Sequence, residues 1–289
     1  MSGSAPGHVT IVEMAPRDGL QNESRLVATA DKIHLVDMLS DCGYQRIEVT
    51  SFVSPKWVPQ MADAAEVMAG IRRRPGTRYA VLTPNLRGLE AALDAGADEV
   101  AIFASASETF SQKNINCSIA ESIERFLPVA ELCREKGILL RGYVSCVVEC
   151  PYEGAIAPAS PARVAGLLDD LGCYEISLGD TIGRGTPEAV DAMLAAVLER
   201  IPANRLAGHF HDTSGRALDN IAVALDRGLR VFDASAGGLG GCPYAPGAAG
   251  NVDTLAVNAF VTGKGFSTGL DVAKLEQAAA FARSLRSGT

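Results

Sequence analysis

The chain shows no cysteine pairing pattern. Its seven cysteines, Cys42, Cys117, Cys133, Cys146, Cys150, Cys173 and Cys242, are odd in number and scattered, with no C-x-x-C unit among them. That spacing excludes a zinc-ribbon or thioredoxin arrangement and reads as a set of reduced thiols. Positive charge is scarce as well: 26 Lys and Arg stand against 34 Asp and Glu, a formal net charge of −8 with a pI near 5.1. A surface that holds nucleic acid through general phosphate attraction needs a basic stripe, so that class is excluded and any phosphate contact must be local. No apolar run approaches the roughly 20 residues needed to cross a bilayer, so no membrane partner is expected. Fixed-period repeats and low-complexity blocks are missing too. Residues 1–7, Met-Ser-Gly-Ser-Ala-Pro-Gly, lack the apolar centre of a signal peptide and the Arg-rich pattern of a transit peptide. They read as a flexible tail, and the expected compartment is the cytoplasm.

What is present suits a catalytic domain. With 289 residues and 47% hydrophobic content, the chain can bury a sizeable core, and one domain over residues 8–285 is expected. Short β-branched or apolar runs recur at Val9–Met14, Ile47–Phe52, Tyr79–Thr83, Val100–Ala104, Leu139–Val147, Glu175–Leu178, Leu206–His211 and Val231–Ser235. Segments of helical period lie between them; Ile119, Ile123, Phe126, Ala130 and Cys133 form one such stripe. Ser118 with Glu121 reads as a capping box, and Ser160-Pro161 and Thr186-Pro187 read as N-cap and first-turn pairs. The run Arg72-Arg73-Arg74 reads as a helix C-terminus with its favourable cations. Eight strands alternating with helices imply parallel pairing through right-handed crossovers. An open doubly wound sheet would carry a glycine-rich phosphate loop after its first strand, whereas here that strand runs into Ala15-Pro16-Arg17-Asp18-Gly19. The expected fold is therefore α/β, a single-domain (β/α)8 TIM barrel, with function at the carboxyl ends of the strands.

The strongest local signal is Gly208-His209-Phe210-His211-Asp212, because residues i and i+2 of a strand share a face. His209 and His211 are two of only four histidines. With Phe210 turned to the helices, both imidazoles face the barrel mouth, an arrangement suited to a divalent metal; the plainer alternative is a pair of hydrogen-bonded core histidines. Arg17-Asp18 follows strand 1 and Asn251 follows strand 8, so closure brings strands 1, 7 and 8 side by side. A carboxylate, two imidazoles and an amide oxygen from Asp18, His209, His211 and Asn251 then converge, a set that suits Mg²⁺ or Mn²⁺, with zinc less suited. Residues 237–250 are too rich in glycine for regular structure and read as a mobile lid, whose Cys242 is placed to transfer a proton or is an inert thiol in a turn. Asp180, ending strand 6, reads as a catalytic group or a turn aspartate. Glu48, counted among the catalytic candidates with Arg17, Cys242 and Asp180, lies within strand 2, where a buried carboxylate needs a partner such as Arg17. Lys113-Asn114 reads as a contact for substrate phosphate or pantetheine, or as a solvated surface pair.

Together, Ala15 to Glu23, Glu48 to Lys56, Lys113 to Ser118, Ser177 to Thr181, His209-Phe210-His211-Asp212 and Gly240-Gly241-Cys242-Pro243-Tyr244 resemble the 3-hydroxy-3-methylglutaryl-CoA lyases, within the wider group of metal-dependent barrel lyases and Claisen-type synthases. The resemblance covers residues 8–285. It implies that Asp18, His209, His211 and Asn251 hold a metal, that Arg17 meets the thioester carbonyl, and that Cys242 is the loop catalyst; Gln21 is expected to bind substrate, with Arg17, Lys113 and Asn114. It also implies cleavage of (S)-3-hydroxy-3-methylglutaryl-CoA, an acyl-CoA substrate rather than a cofactor, to acetyl-CoA and acetoacetate, as in leucine breakdown and ketone-body formation. A longer branched substrate fits the same motifs. The nearest rival is a condensing synthase of the isopropylmalate or homocitrate type, disfavoured by chain length and by the Cys242 loop. A barrel hydrolase would place its paired histidines after strand 1. A homodimer is the base-rate expectation for assembly.

Overall fold

All eight runs expected to be strands pair with one another, and the sheet closes. In the computed structural model, which describes residues 7–242 and 245–286 and only the backbone of 241–249, the strands are β1 (Thr10–Glu13), β2 (Arg46–Ser51), β3 (Arg78–Leu82), β4 (Glu99–Ser105), β5 (Leu139–Ser145), β6 (Glu175–Asp180), β7 (Leu206–Phe210) and β8 (Val231–Ala234). Each runs parallel to its sequence neighbours, and β8 returns to β1 through pairs such as Ile11 with Phe232 and Glu13 with Ala234. The expected (β/α)8 barrel is the observed one. Its helices are α1 (Thr29–Ser40), α2 (Ala64–Gly70), α3 (Leu86–Asp94), α4 (Glu108–Ile115), α5 (Ile119–Lys136), α6 (Ala159–Asp170), α7 (Pro187–Leu198), α8 (Ala217–Asp226), α9 (Thr254–Gly263) and α10 (Val272–Ser284). None of the described helices is long and apolar enough to cross a membrane.

Local chemistry explains where helices begin. The Ser118 hydroxyl accepts from the Glu121 N–H at 3.1 Å while the Glu121 carboxylate accepts from the Ser118 N–H at 2.7 Å, the capping box read from the sequence. Thr186 caps α7 by accepting from the Ala189 N–H at 3.3 Å, with Pro187 in the first turn. At α6 the expectation fails. The helix starts at Ala159, and Ser160 lies inside its first turn, because Pro158 already has helical dihedrals (φ −54°) and takes the capping position. The three arginines also sit elsewhere than expected. They lie past the end of α2, and Arg72, Arg73 and Arg74 reach Asp37 at 2.8 Å, Asp98 at 3.1 Å and Asp41 at 2.6 Å; these tertiary carboxylates replace the helix carbonyls as partners. In the glycine-rich stretch the backbone is partly regular, since Gly241–Cys242 pairs antiparallel with Ala245–Ala249. A ladder needs only N–H and C=O groups, and glycine supplies those as well as any residue.

Strand alternation sorts side chains into two cores. Outward residues such as Ile47, Val100, Ile176, Leu178, Leu206 and Phe210 pack beneath the helices. Inside, Val12, Met14, Leu82, Ala101 and Tyr143 form a smaller apolar layer, and beneath it the barrel is filled by charge. The Arg46 guanidinium donates to both oxygens of Glu175 at 2.7 and 3.0 Å. Arg141, 1% exposed, donates to Glu175 at 2.8 Å and to Asp233 at 2.7 Å. Buried ions are tolerated here because each guanidinium finds carboxylates in fork geometry.

Candidate active site

At the carboxyl ends of the strands lies a cleft of about 760 Å³ whose floor includes Arg17, Asp18, Tyr143, His209 and His211. Asp18 and Arg17 sit on a short turn of helix, Ala15–Gly19, directly after β1. His209 is the inward residue of β7, and Phe210 points into the helical layer as the alternation requires. The ligating atoms of Asp18, His209 and His211 all lie within 4.8 Å of one another. The two Nε2 atoms stand 3.2 Å apart, and each is 3.9 Å from Asp18 Oδ2. Asn251, which follows β8, donates through Nδ2 to Asp18 Oδ2 at 2.8 Å. An amide exposes an oxygen after a half-turn, so this position also offers Oδ1 to the cluster.

The donor set fits a divalent cation. Cis ligands on an octahedral ion with bonds of about 2.1 Å stand about 3 Å apart, close to the spacing of the two ring nitrogens. Two imidazole nitrogens facing each other beside a carboxylate are also poor hydrogen-bond partners for one another unless a proton or a cation lies between them. The Asp18, His209 and His211 group could therefore hold a metal ion.

Electrostatics keep the donors available. Burial alone would raise the Asp18 pKa, but Arg17, the two histidines and the Asn251 hydrogen bond hold it well below the carboxylate range. His211 is pushed down to about 4 by burial and then by its neighbour His209, so it is neutral at physiological pH. Burial also weighs on His209, yet its hydrogen bond to Asp233 and the charges of Asp233 and Asp18 raise it overall. Arg17 donates through Nε to Glu48 and through Nη1 to Asp18 at 2.5 Å. Its Nη2 has no protein partner among the described residues, and the side chain lines the cleft. Glu48, 1% exposed, lies behind Arg17 and also accepts from the Tyr143 hydroxyl, so it anchors the arginine as the sequence suggested.

Gln21, Lys113 and Asn114 all line the same cleft. Asp180 does not. Its carboxylate accepts from the Gly185 N–H at 2.8 Å and the Arg184 N–H at 3.3 Å, and burial raises its pKa to about 6. The reason is parity: Glu175 and Ser177 point into the barrel, so Ile176, Leu178 and Asp180 point out of it. Of the two roles weighed, Asp180 has that of a turn aspartate. Cys242 is a strand residue in the backbone, and its side chain lies outside the described residues. Sequence reasoning missed Tyr143, Asp233 and Arg125, the first and last of which line the cleft. Only inward parity with charged strand neighbours could have signalled the first two.

A further carboxylate braces the rim from outside the barrel. Glu13 accepts from the Ala15 N–H at 2.9 Å, the Ala236 N–H at 2.8 Å, the Tyr44 hydroxyl at 2.5 Å and the Thr254 hydroxyl at 3.0 Å. It thereby ties the turn that carries Asp18 to the start of the loop after β8. Burial raises its pKa to about 7 against those four hydrogen bonds.

Comparison with known proteins agrees with this geometry. A family model described as HMGL-like matches residues 8–282. The mitochondrial hydroxymethylglutaryl-CoA lyase of Bos taurus is 57% identical over 279 residues, covering 96% of this chain and 86% of that protein. The 3-hydroxy-3-isohexenylglutaryl-CoA/hydroxy-methylglutaryl-CoA lyase of Pseudomonas aeruginosa is 57% identical over 273 residues, covering 94% and 91%. The crystal structure of the HMG-CoA lyase from Brucella melitensis superposes with a TM-score of 0.96 at 65% identity, covering 97% of this chain and 99% of that one. With a family match over nearly its whole length and relatives this similar, the chain belongs to the HMGL-like family.

Proposed function

We propose that this protein cleaves (S)-3-hydroxy-3-methylglutaryl-CoA to acetyl-CoA and acetoacetate. The observation that carries the reading is the Asp18, His209 and His211 cluster lying beside the partly unpaired Arg17 guanidinium on the floor of one cleft. Asp18, His209, His211 and, through its amide oxygen, Asn251 would hold Mg²⁺ or Mn²⁺. Bound there, such an ion supplies Lewis acidity that eases removal of the proton from the substrate's tertiary hydroxyl.

The chain's own residues account for the remainder. Of the two proton acceptors considered, Asp180 is turned to its own loop, whereas His209 and His211 line the cleft. As that oxygen becomes the ketone of acetoacetate, the C2–C3 bond breaks and its electron pair passes to the thioester enolate. Arg17 meets this charge with Nη2, held in place by Glu48 and Asp18; one such preorganised donor is worth about 3 to 4 kcal/mol. Cys242, on the hairpin after β8, returns a proton to the acetyl-CoA carbon. Lys113, Asn114 and Gln21 line the path of the CoA moiety. The chain acts as a homodimer in the cytoplasm; six described cysteines, all free and buried, fit a reducing compartment, although the bovine relative is a mitochondrial protein.

The test is a panel of 3-hydroxy-3-alkylglutaryl-CoA thioesters with added Mg²⁺ or Mn²⁺, read as acetyl-CoA release. The methyl substrate is expected to turn over fastest, and the isohexenyl substrate is included because the Pseudomonas relative is named for it. Absence of cleavage, together with CoA release from acetyl-CoA and a 2-oxo acid, would replace this reading with a condensing synthase.

A further inference from the structure

We infer that Asp233 is a positioning residue that sets the tautomer of His209 and so turns its Nε2 lone pair toward the cation site; the inference rests on the metal reading above. Asp233 lies on β8 at 2% exposure, one layer below the rim. Its Oδ1 accepts from Arg141 Nη2 at 2.7 Å. Its Oδ2 accepts from Ser177 Oγ at 2.8 Å and Arg141 Nη1 at 3.2 Å, and faces His209 Nδ1 at 3.1 Å. Arginine cannot accept a hydrogen bond, and with its two forks directed at Asp233 the carboxylate is an acceptor on both oxygens. The proton between Asp233 and His209 therefore sits on Nδ1. Nε2 is left with its lone pair, and Nε2 is the atom that stands 3.2 Å from His211 Nε2 and 3.9 Å from Asp18 Oδ2.

This arrangement places a determinant of metal affinity on a strand that contributes no ligand of its own. Carboxylate partners of ligating histidines typically contribute about 10- to 100-fold in affinity. Asp233→Asn keeps the shape; with its amide oxygen on Arg141 Nη2, the amide N–H2 takes the place of Oδ2, faces Nδ1 and turns the Ser177 hydroxyl into an acceptor. A donor at that point favours the opposite tautomer, with the proton on Nε2.

Two measurements decide the matter. Heteronuclear NMR of the ring nitrogens in the metal-free wild type, followed to a pH alkaline enough that the His209 ring carries a single proton, is expected to show that proton on Nδ1. His209→Asn assigns the signal, and a proton on Nε2 would overturn the inference. Calorimetric titration with Mn²⁺ alone is expected to show Asp233→Asn binding about 10- to 100-fold more weakly. The same substitution made in the His209→Asn background is expected to change affinity no further. Equal weakening in both backgrounds would mean that Asp233 acts through the fold and not through His209. Should Asp233→Asn fail to fold, the wild-type tautomer still decides. If the wild type binds no Mn²⁺, the metal reading fails, while the tautomer measurement still judges Asp233.

Discussion

Gly240→Ala tests how closely the loop after β8 is fitted to the site. Gly240 has φ +107°, and a Cβ built there would lie 2.6 Å from Asn251 Nδ2, against 3.4 Å at the lower end of ordinary contact. The methyl group must gain 0.8 Å, the difference of those two distances, by displacing the Asn251 amide nitrogen that donates to Asp18. The backbone also pays for an alanine at that dihedral with about 1 to 3 kcal/mol, which lowers the melting temperature by about 2 to 4 °C per kcal/mol in a chain of this size. A displacement near 1 Å in a reacting site costs about 100-fold in rate, so turnover should fall by that order and Mn²⁺ affinity with it. Gly238→Ala is the control. Its φ is +60°, but the nearest atom to the new Cβ is 3.7 Å away, so it should carry backbone strain without moving Asn251. Thermal unfolding, Mn²⁺ calorimetry and steady-state turnover on both variants separate strain from displacement. Wild-type affinity and turnover in Gly240→Ala, or equal losses in both variants, would refute the reasoning.

Glu13→Gln probes the brace behind the rim. The folded pKa of about 7 lies above the usual 4.5, so between those values the folded chain holds a proton that the unfolded chain has lost. Stability at this position is then full below about pH 4.5 and falls as pH rises to about 7, by about 3 kcal/mol in all. Glutamine cannot titrate and should abolish that fall, which urea unfolding at pH 5 and pH 8 checks; a variant markedly less stable than wild type at pH 8 contradicts the sign. Asp18→Ala should lose measurable Mn²⁺ binding, whereas Cys242→Ser should bind metal and substrate normally and lose turnover; weak metal binding by Cys242→Ser in calorimetry would show the division to be wrong. Arg17→Lys keeps the charge but not the fork that reaches Glu48 and Asp18 together. It should lower kcat by about 100- to 1000-fold with a smaller change in KM, and an unchanged kcat would remove Arg17 from the chemistry.

The barrel was legible because its evidence is periodic. Outward strand residues are apolar, and eight such runs announce themselves even when their ends shift by a residue or two. The rim was legible because Asp18, His209, His211 and Asn251 follow strands that closure makes neighbours. What escaped has one cause in common: partners distant in sequence. Arg141, Glu175 and Asp233 resemble exposed strand residues until the barrel closes and pairs them at 2.7 to 2.8 Å. Asp180 sits among motif residues, yet the alternation already visible in Ile176 and Leu178 assigns it to the outer layer. Pro158 displaced Ser160 as a cap because a proline's own dihedral can begin a helix.

The ionic layer low in the barrel also governs how this sequence can drift. Arg46, Arg141, Glu175 and Asp233 share partners, so removing any one strands a charge where no water can reach it, at a cost of about 3 to 5 kcal/mol. Replacing the whole set by apolar side chains of matching volume removes that cost within the four, but takes from buried Glu99 and from His209 Nδ1 the partners they have in Arg46 and Asp233. Neighbouring sequences that fold are therefore reached by changing these four positions together or not at all, and His209, hydrogen-bonded to one of them, inherits that constraint.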